Sequence, residues 1–328
     1  GSVHLARATM IAMCGGFGPS RLCRLPTVIA LATTRRLAHT GESVRLPGSV
    51  KDKFALSFGG SGLMLIYQAG VASAFSRRPA FMSRVSRVLG TSGGACVGVL
   101  LLVCPDRIGE ALEHYCKGAL FRGATVADAL DPTRRLLPRF VRELDLLPGD
   151  AHERLNGHCG GPIMSIHVTP RELPLRNVAL TRFASPEDVI NAVRASCCLH
   201  PRGVVLHGHR FMDGGLSDSL PLCEDDTMDT VTISPFAGQG IDIAPGLAED
   251  ETRHVHTVER DAIVHMRIKE AAASPPRRLG TAFMRYSPTM GNARSLFDAA
   301  IPRGRMQAEQ RFSAGERDGE AFLNALGF

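Results

Sequence analysis

Two stretches of this 328-residue chain follow the same pattern, and that pattern limits what the chain can fold into. "KFALSF" (53–58) reads as a strand, "GGSG" (59–62) as a turn, and "LMLIYQAGVASAF" (63–75) as a helix whose unbroken apolarity implies burial on most sides. The unit then repeats. "RVSRVLG" (84–90) reads as a second strand, Thr91, Ser92 and Gly93 as a turn, and "GACVGVLLLV" (94–103) as a second helix. Strand, helix, strand, helix predicts a parallel sheet. Both glycine turns then emerge at the carboxyl ends of parallel strands, the edge where such sheets bind ligands.

Further along, "PIMSIHVT" (162–169), "RNVALTRF" (176–183), "VVLHGHRFM" (204–212) and "TVTISP" (230–235) read as strands. The helix opening at "SPEDVINAVRASCC" (185–198) is marked by Ser185 as N-cap, Pro186 at the first helical position and Asp188 placed for a capping box. The chain between Pro105 and Pro162 is mixed and reads as a helical insert or cap. The longest apolar run, Ala95 to Cys104, is about half of the ~20 residues a membrane-spanning helix needs, so no transmembrane helix is expected.

Charge is unevenly spread. Of the formal net +6, five charges fall in residues 1–50, which hold six Arg and one Glu. Spaced arginines among apolar and hydroxylated residues, with no acid before Glu42, match a mitochondrial transit peptide, the alternative being a disordered or appended leader. No charge run elsewhere suggests nucleic-acid binding. The nine cysteines show neither CxxC spacing nor a disulfide framework, which fits a reducing compartment.

Gly90, Thr91, Ser92, Gly93 and Gly94 spell G-x-S-x-G between a strand and a helix. A serine on such a turn projects its hydroxyl outward, and the helix that follows offers unsatisfied amides to a developing oxyanion. A helix-packing turn with an incidental serine would spell the same letters. In "FGGSG" a dinucleotide fingerprint read from Gly60 would need glycine at 65, where Leu65 stands, and no phosphate-binding P-loop is present. His207 and His209 could supply two metal ligands from one face of a strand, but no third is suitably spaced, so no metal and no cofactor is expected. A serine, acid and histidine triad would draw on His254, His256 or His265.

The third element is "RFMDGGLSDSLP" (210–221), in which Asp213 closes a strand and Gly214 and Gly215 follow. In the order GGSG, GTSGG, DGG, these pieces resemble the patatin-like phospholipase family, most of all the animal-type group that includes adipose triglyceride lipase. "SFGGSGLMLIYQAGVA", "MDGGLSDSLP" and "TVTISPFAGQGIDIAP" carry the likeness over residues 54–245, with a weaker echo in "RFSAGERDGEAFLNAL". The resemblance implies a three-layer α/β/α sandwich with a mostly parallel central sheet. Its catalytic domain would span 51–245, with a helical C-terminal extension at 246–328 packing on it.

It also implies a Ser-Asp dyad. Ser92 takes the nucleophile position and Asp213 the partner position, and Gly60, Ser61 and Gly62 form the oxyanion loop. Gly90, Gly94, Gly214 and Gly215 complete the motifs. The implied activity is hydrolysis of fatty acyl esters, acylglycerol or phospholipid, by an intracellular protein peripheral on a lipid droplet or membrane. Acyl transfer, or a catalytically weak lipid-binding protein on the same fold, are the alternatives. An ordinary Asp near pKa ~3.9 is a poor base at neutral pH, so the chemistry requires a dry site that raises it. The chain departs from the wider family at Ser61, where glycine is usual, and at Met64 and Leu65, where Lys or Arg and then Gly are frequent. Met64 beside the loop leads to the expectation that uncharged head groups are preferred, the alternatives being that Met64 only packs the following helix or that Arg202 or Arg210 near the DGG turn supplies the missing charge.

Overall fold

The computed structural model describes residues 51–111, 145–172, 176–238, 241–245, 292, 295–296, 298–299 and 305–328. Within these, strands β1 (Phe54–Phe58), β2 (Val85–Thr91), β3 (Ile163–Pro170), β4 (Val178–Leu180), β5 (Val204–Leu206), β6 (His209–Asp213) and β7 (Asp229–Ile233) form one sheet. Its order is β5-β6-β3-β2-β1-β7, with β4 pairing β3. The four strands β3, β2, β1 and β7 run parallel, while β4 and β6 run antiparallel to β3, and β5 to β6. This is the expected α/β architecture, parallel through its centre. The leader 1–50, the segment between Ala111 and Asp145, and most of 246–304 lie outside the described residues.

The parallel centre follows from the side chains. Every residue of β1 and of β7 is buried, as strands of a parallel sheet covered on both faces should be. One face carries Phe54, Leu56, Phe58, Val88, Met164 and Ile166, which share a core with helices α1 (Leu65–Ser76), α3 (Gly93–Val103) and α5 (Pro186–Ser196). The other face is lined by small polar groups. The Ser57 hydroxyl donates to the Pro221 carbonyl and Thr91 Oγ1 donates to the Asp218 carbonyl at 3.2 Å, so the 217–223 segment is hydrogen-bonded over this face.

Between α1 and β2 lies the short α2 (Pro79–Met82), and α4 (Ala151–Leu155) precedes β3. Helix α1 has no charged residue and is buried over ten consecutive positions, from Ile66 to Phe75. Its outer side is covered by α6 (Arg305–Ala325), and there the two backbones meet: a methyl at Gly70 would overlap the Phe312 carbonyl, and one at Gly315 the Tyr67 carbonyl. Tyr67 donates to Asp318 at 2.6 Å, and Arg77 pairs with Glu316 at 2.7 Å. The C-terminal helix therefore completes the burial of α1.

Two readings from the sequence change. The run 204–212 is not one strand but a two-residue hairpin, because His207 (φ 49°) and Gly208 (φ 80°) both take left-handed backbone and reverse the chain between β5 and β6. His207 and His209 thus belong to a turn and the strand after it, and among the described residues no group of three or more His, Cys, Asp or Glu could hold a metal. The run 176–183 is a strand only over Val178–Leu180. The N-cap of α5 forms as expected, Ser185 Oγ accepting from the Asp188 amide at 3.2 Å, but the Asp188 carboxylate reaches back to the Ala184 amide instead of that of Ser185. No helix among the described residues is long and apolar enough to cross a membrane. Cys96, Cys104, Cys197, Cys198 and Cys223 are free thiols.

Candidate active site

Ser92 sits between β2 and α3 with φ 54° and ψ −127°, a backbone conformation that L-residues rarely adopt. Three contacts hold it there. A methyl at Gly94 would overlap the Phe58 carbonyl, so only glycine lets the start of α3 come down on the end of β1. A methyl at Gly90 would lie 2.6 Å from the Ala95 Cα, so β2 and α3 close on each other across the turn. The Ser92 amide donates to Ser196 Oγ at 2.9 Å, and that hydroxyl donates to the His167 carbonyl at 2.7 Å. The strained turn is thereby tied to β3. Nothing in the sequence singles out Ser196, since a serine at the end of a helix has no local signature.

Across the sheet edge, Asp213 closes β6 and is 3% exposed. Ser92 Oγ donates to Asp213 Oδ2 at 2.7 Å, and Asp213 Oδ1 accepts from the Gly215 amide at 2.8 Å. The DGG string explains itself here. A methyl at Gly214 would overlap the His167 carbonyl, and Gly215 supplies the amide that fixes the carboxylate. Burial raises the Asp213 pKa from 3.8 to about 6, against the lowering effect of the Ser92 hydroxyl and the Gly215 amide. A carboxylate at that value is ionised at neutral pH yet basic enough to take a proton.

The GGSG turn lies against this pair. A methyl at Gly60 would be 3.8 Å from the Ser92 Cβ, and one at Gly93 would be 2.5 Å from Ser61 Oγ. Across the predicted loop Gly60, Ser61 and Gly62 and the turn at Ser92, the amides divide. Gly60 donates to the Ser219 carbonyl at 2.7 Å, whereas the Ser61, Gly62, Gly93 and Gly94 amides have no hydrogen-bond partner among the described residues. Gly62 needs to be glycine, at φ 51°. Ser61 is buried and its hydroxyl has no hydrogen-bond partner among the described residues. Met64 is 2% exposed and belongs to the main core, which fits the alternative in which it packs the following helix.

Among the described residues no histidine hydrogen-bonds to Ser92 or Asp213. His167, the histidine on the neighbouring strand, bonds Asn177 through Nδ1, and burial lowers its pKa. His254, His256 and His265 lie outside the described residues.

The model of the patatin-like phospholipase family matches residues 56–224, which contain the end of β1, both glycine turns, Ser92 and Asp213. The chain belongs to the patatin-like phospholipase family. Mouse (Mus musculus) "patatin-like phospholipase domain-containing protein 2" is 33% identical to this patatin-like chain over 215 residues, 62% of this chain and 40% of that protein. The human (Homo sapiens) protein named "1-acylglycerol-3-phosphate O-acyltransferase PNPLA3" is 30% identical over 211 residues, 62% of this chain and 41% of that protein. The chain thus spans about 40% of the length of these two relatives. The solved structure of VipD from Legionella pneumophila superposes with a TM-score of 0.38 at 12% identity, covering 84% of this chain and 67% of that one.

Proposed function

We propose that this patatin-like chain is a lipid acyl hydrolase that works through a Ser92–Asp213 dyad and an acyl-enzyme. The reading rests on one observation above all: a serine hydroxyl held on a left-handed turn, donating at 2.7 Å to a buried carboxylate whose pKa lies near 6. Ser92 Oγ attacks the ester carbonyl carbon while its proton passes to Asp213. The carbonyl oxygen becomes an oxyanion, for which the unengaged amides of Ser61, Gly62 and Gly93 are the donors. Collapse breaks the bond to the leaving alcohol, which departs with the proton from Asp213. Water then attacks the acyl-enzyme, gives its proton to Asp213, and the fatty acid leaves as Ser92 Oγ recovers that proton.

The substrate class is a fatty acyl ester presented at a lipid surface, bound by a peripheral protein. Residues 1–50, with their arginines, serve targeting and not turnover. Transfer of the acyl group to an alcohol in place of water is the second reading, favoured by the acyltransferase name of the human relative. Both reactions share every step up to the acyl-enzyme.

The test is esterase turnover and phosphonate labelling of the full chain. Ser92→Ala should abolish both, and Asp213→Asn should cut turnover by roughly 10⁴ with the fold intact. Acylglycerol supplied as acceptor reports transfer as a new ester product. Turnover that survives Asp213→Asn but is lost in His256→Ala would replace the dyad with a histidine triad.

A further inference from the structure

The strand register places a hairpin above the candidate active site. Thr91 pairs with His167 as the last step of the β2–β3 ladder, and Ser92 follows at once. Strand β6 runs on past that level: Asp213 pairs with Val168, Phe211 with Pro170, and the Arg171 amide donates to the Arg210 carbonyl at 2.9 Å. Arg210 lies three steps along the strand from Asp213, so at ~3.3 Å per residue the hairpin already stands about 10 Å beyond the dyad at Arg210. Its turn, His207 and Gly208, is the outermost part.

What the hairpin presents is amphipathic. Arg210 donates from its guanidinium to the Arg202 carbonyl at 3.0 Å, which brings Arg171, Arg202 and Arg210 together, all exposed. None of the three makes an ion pair among the described residues. Of the carboxylates on neighbouring elements, Asp188 is engaged by the Ala184 amide and by His207 at 2.9 Å, and Glu172 follows Arg171 in the chain. Val205 pairs with Arg210 across the ladder, so an apolar side chain 55% exposed shares a face with a cation. Leu199 (45% exposed) follows Cys198, whose carbonyl accepts from the Asp213 amide, and Leu216 (40% exposed) lies in the turn after Gly215. Three of the five large hydrophobic side chains exposed among the described residues thus fall around this one edge.

Arginines that make no ion pair among the described residues, set beside exposed apolar side chains, are the composition of a surface that meets phosphate head groups and the acyl boundary together. We propose that the β5–β6 hairpin, with Arg171, Arg202 and Arg210 and the apolar Val205, Leu199 and Leu216, docks this protein on an anionic phospholipid bilayer with the dyad facing the membrane. A soluble polyanion would meet the same arginines but leave the apolar side chains in water. The proposal deepens the acyl-hydrolase reading and rests on it for the reason a docking face should adjoin the dyad.

The full chain contains no tryptophan, so the indole of Val205→Trp reports this position alone. The arginines of residues 1–50 make co-sedimentation ambiguous, whereas that indole reads the hairpin itself. With vesicles of phosphatidylcholine containing about one third phosphatidylglycerol, its emission should shift to the blue and be quenched by brominated acyl chains. Phosphatidylcholine alone should give neither effect, and high salt should reverse both. In the same reporter, joint Arg171→Gln, Arg202→Gln and Arg210→Gln should weaken partitioning about 100-fold while turnover of a soluble short-chain ester is unchanged. An indole that stays in water while soluble ester is hydrolysed overturns the docking face and spares the dyad. Insertion without any hydrolysis spares the docking face and sinks the dyad. Arginine-dependent binding of an oligonucleotide that leaves the vesicles unbound would assign the cluster to a soluble polyanion and overturn the proposal.

Discussion

The turns after β1 and β2 have the same local pattern and opposite fates. Each joins a buried parallel strand to an apolar helix through glycines around one serine. Ser92 has its amide held by Ser196 and its hydroxyl by Asp213 at 2.7 Å, on a backbone at φ 54°. Ser61 has φ −139°, and among the described residues neither its amide nor its buried hydroxyl has a hydrogen-bond partner. The neighbours make the difference. Beyond β2 lie β3 and β6, and β6 carries an aspartate at the same edge, whereas the partner strand on the far side of β1 is β7, which ends in Ile233. One turn therefore presents a hydroxyl to a carboxylate and the other presents unengaged amides, from nearly the same letters.

That contrast is broken most directly by exchanging the serines' fates. Ser92→Ala should remove ester turnover, and Asp213→Asn should lower it by roughly 10⁴, whereas Ser61→Ala should leave it within a few-fold, since only the Ser61 amide is assigned a role. Comparable losses at Ser61 and Ser92, measured on one soluble ester, would erase the distinction.

The glycines give the next largest effect. Gly94→Ala would drive a methyl into the Phe58 carbonyl and should cost more than about 4 kcal/mol or prevent folding. Gly60→Ala meets nothing closer than 3.7 Å and should fold with thermal stability near that of the parent. Its methyl would lie 3.8 Å from the Ser92 Cβ, so any loss belongs in turnover and not in melting temperature.

Asp213→Asn should also change stability, with a defined sign. The folded state holds the Asp213 proton more tightly than the unfolded chain, with a pKa of about 6 against 3.8, so ionising it costs stability as pH rises through that window. Removing the charge should be neutral below about pH 4 and stabilising by about 2 to 3 kcal/mol above about pH 6, read by denaturant melts across pH. The smallest effect falls on the first turn again: Ser61→Ala removes a buried hydroxyl that has no partner and should raise stability by about 1 kcal/mol.

Much of this was legible because glycine is constrained by close approach. Gly90, Gly94 and Gly214 stand where a methyl would strike backbone, so G-x-S-x-G and DGG record the geometry that places Ser92 and Asp213. The alternation of strands and apolar helices likewise carried the parallel centre of the sheet. The hairpin at His207 was hidden because histidine at positive φ is rare and "LHGHRF" keeps the look of a continuous strand. Ser196 and the engagement of the Gly60 amide depend on residues more than a hundred positions away, Ser92 and Ser219, and no local pattern encodes them. The burial of Met64 is hidden because its position beside the loop suggests exposure, while the short 3-10 turn Gly62–Met64 that leads into α1 buries it in the core.

If Asp213 is the base for Ser92, the pH dependence of phosphonate labelling at Ser92 follows its ionisation. The labelling rate of the unmodified chain should rise with pH around a midpoint near 6, following ionisation of Asp213. In Asp213→Asn that step should vanish, leaving a slow rate without a midpoint in this range. A midpoint that persists unchanged in Asp213→Asn would mean that another group deprotonates Ser92, and the dyad would be contradicted.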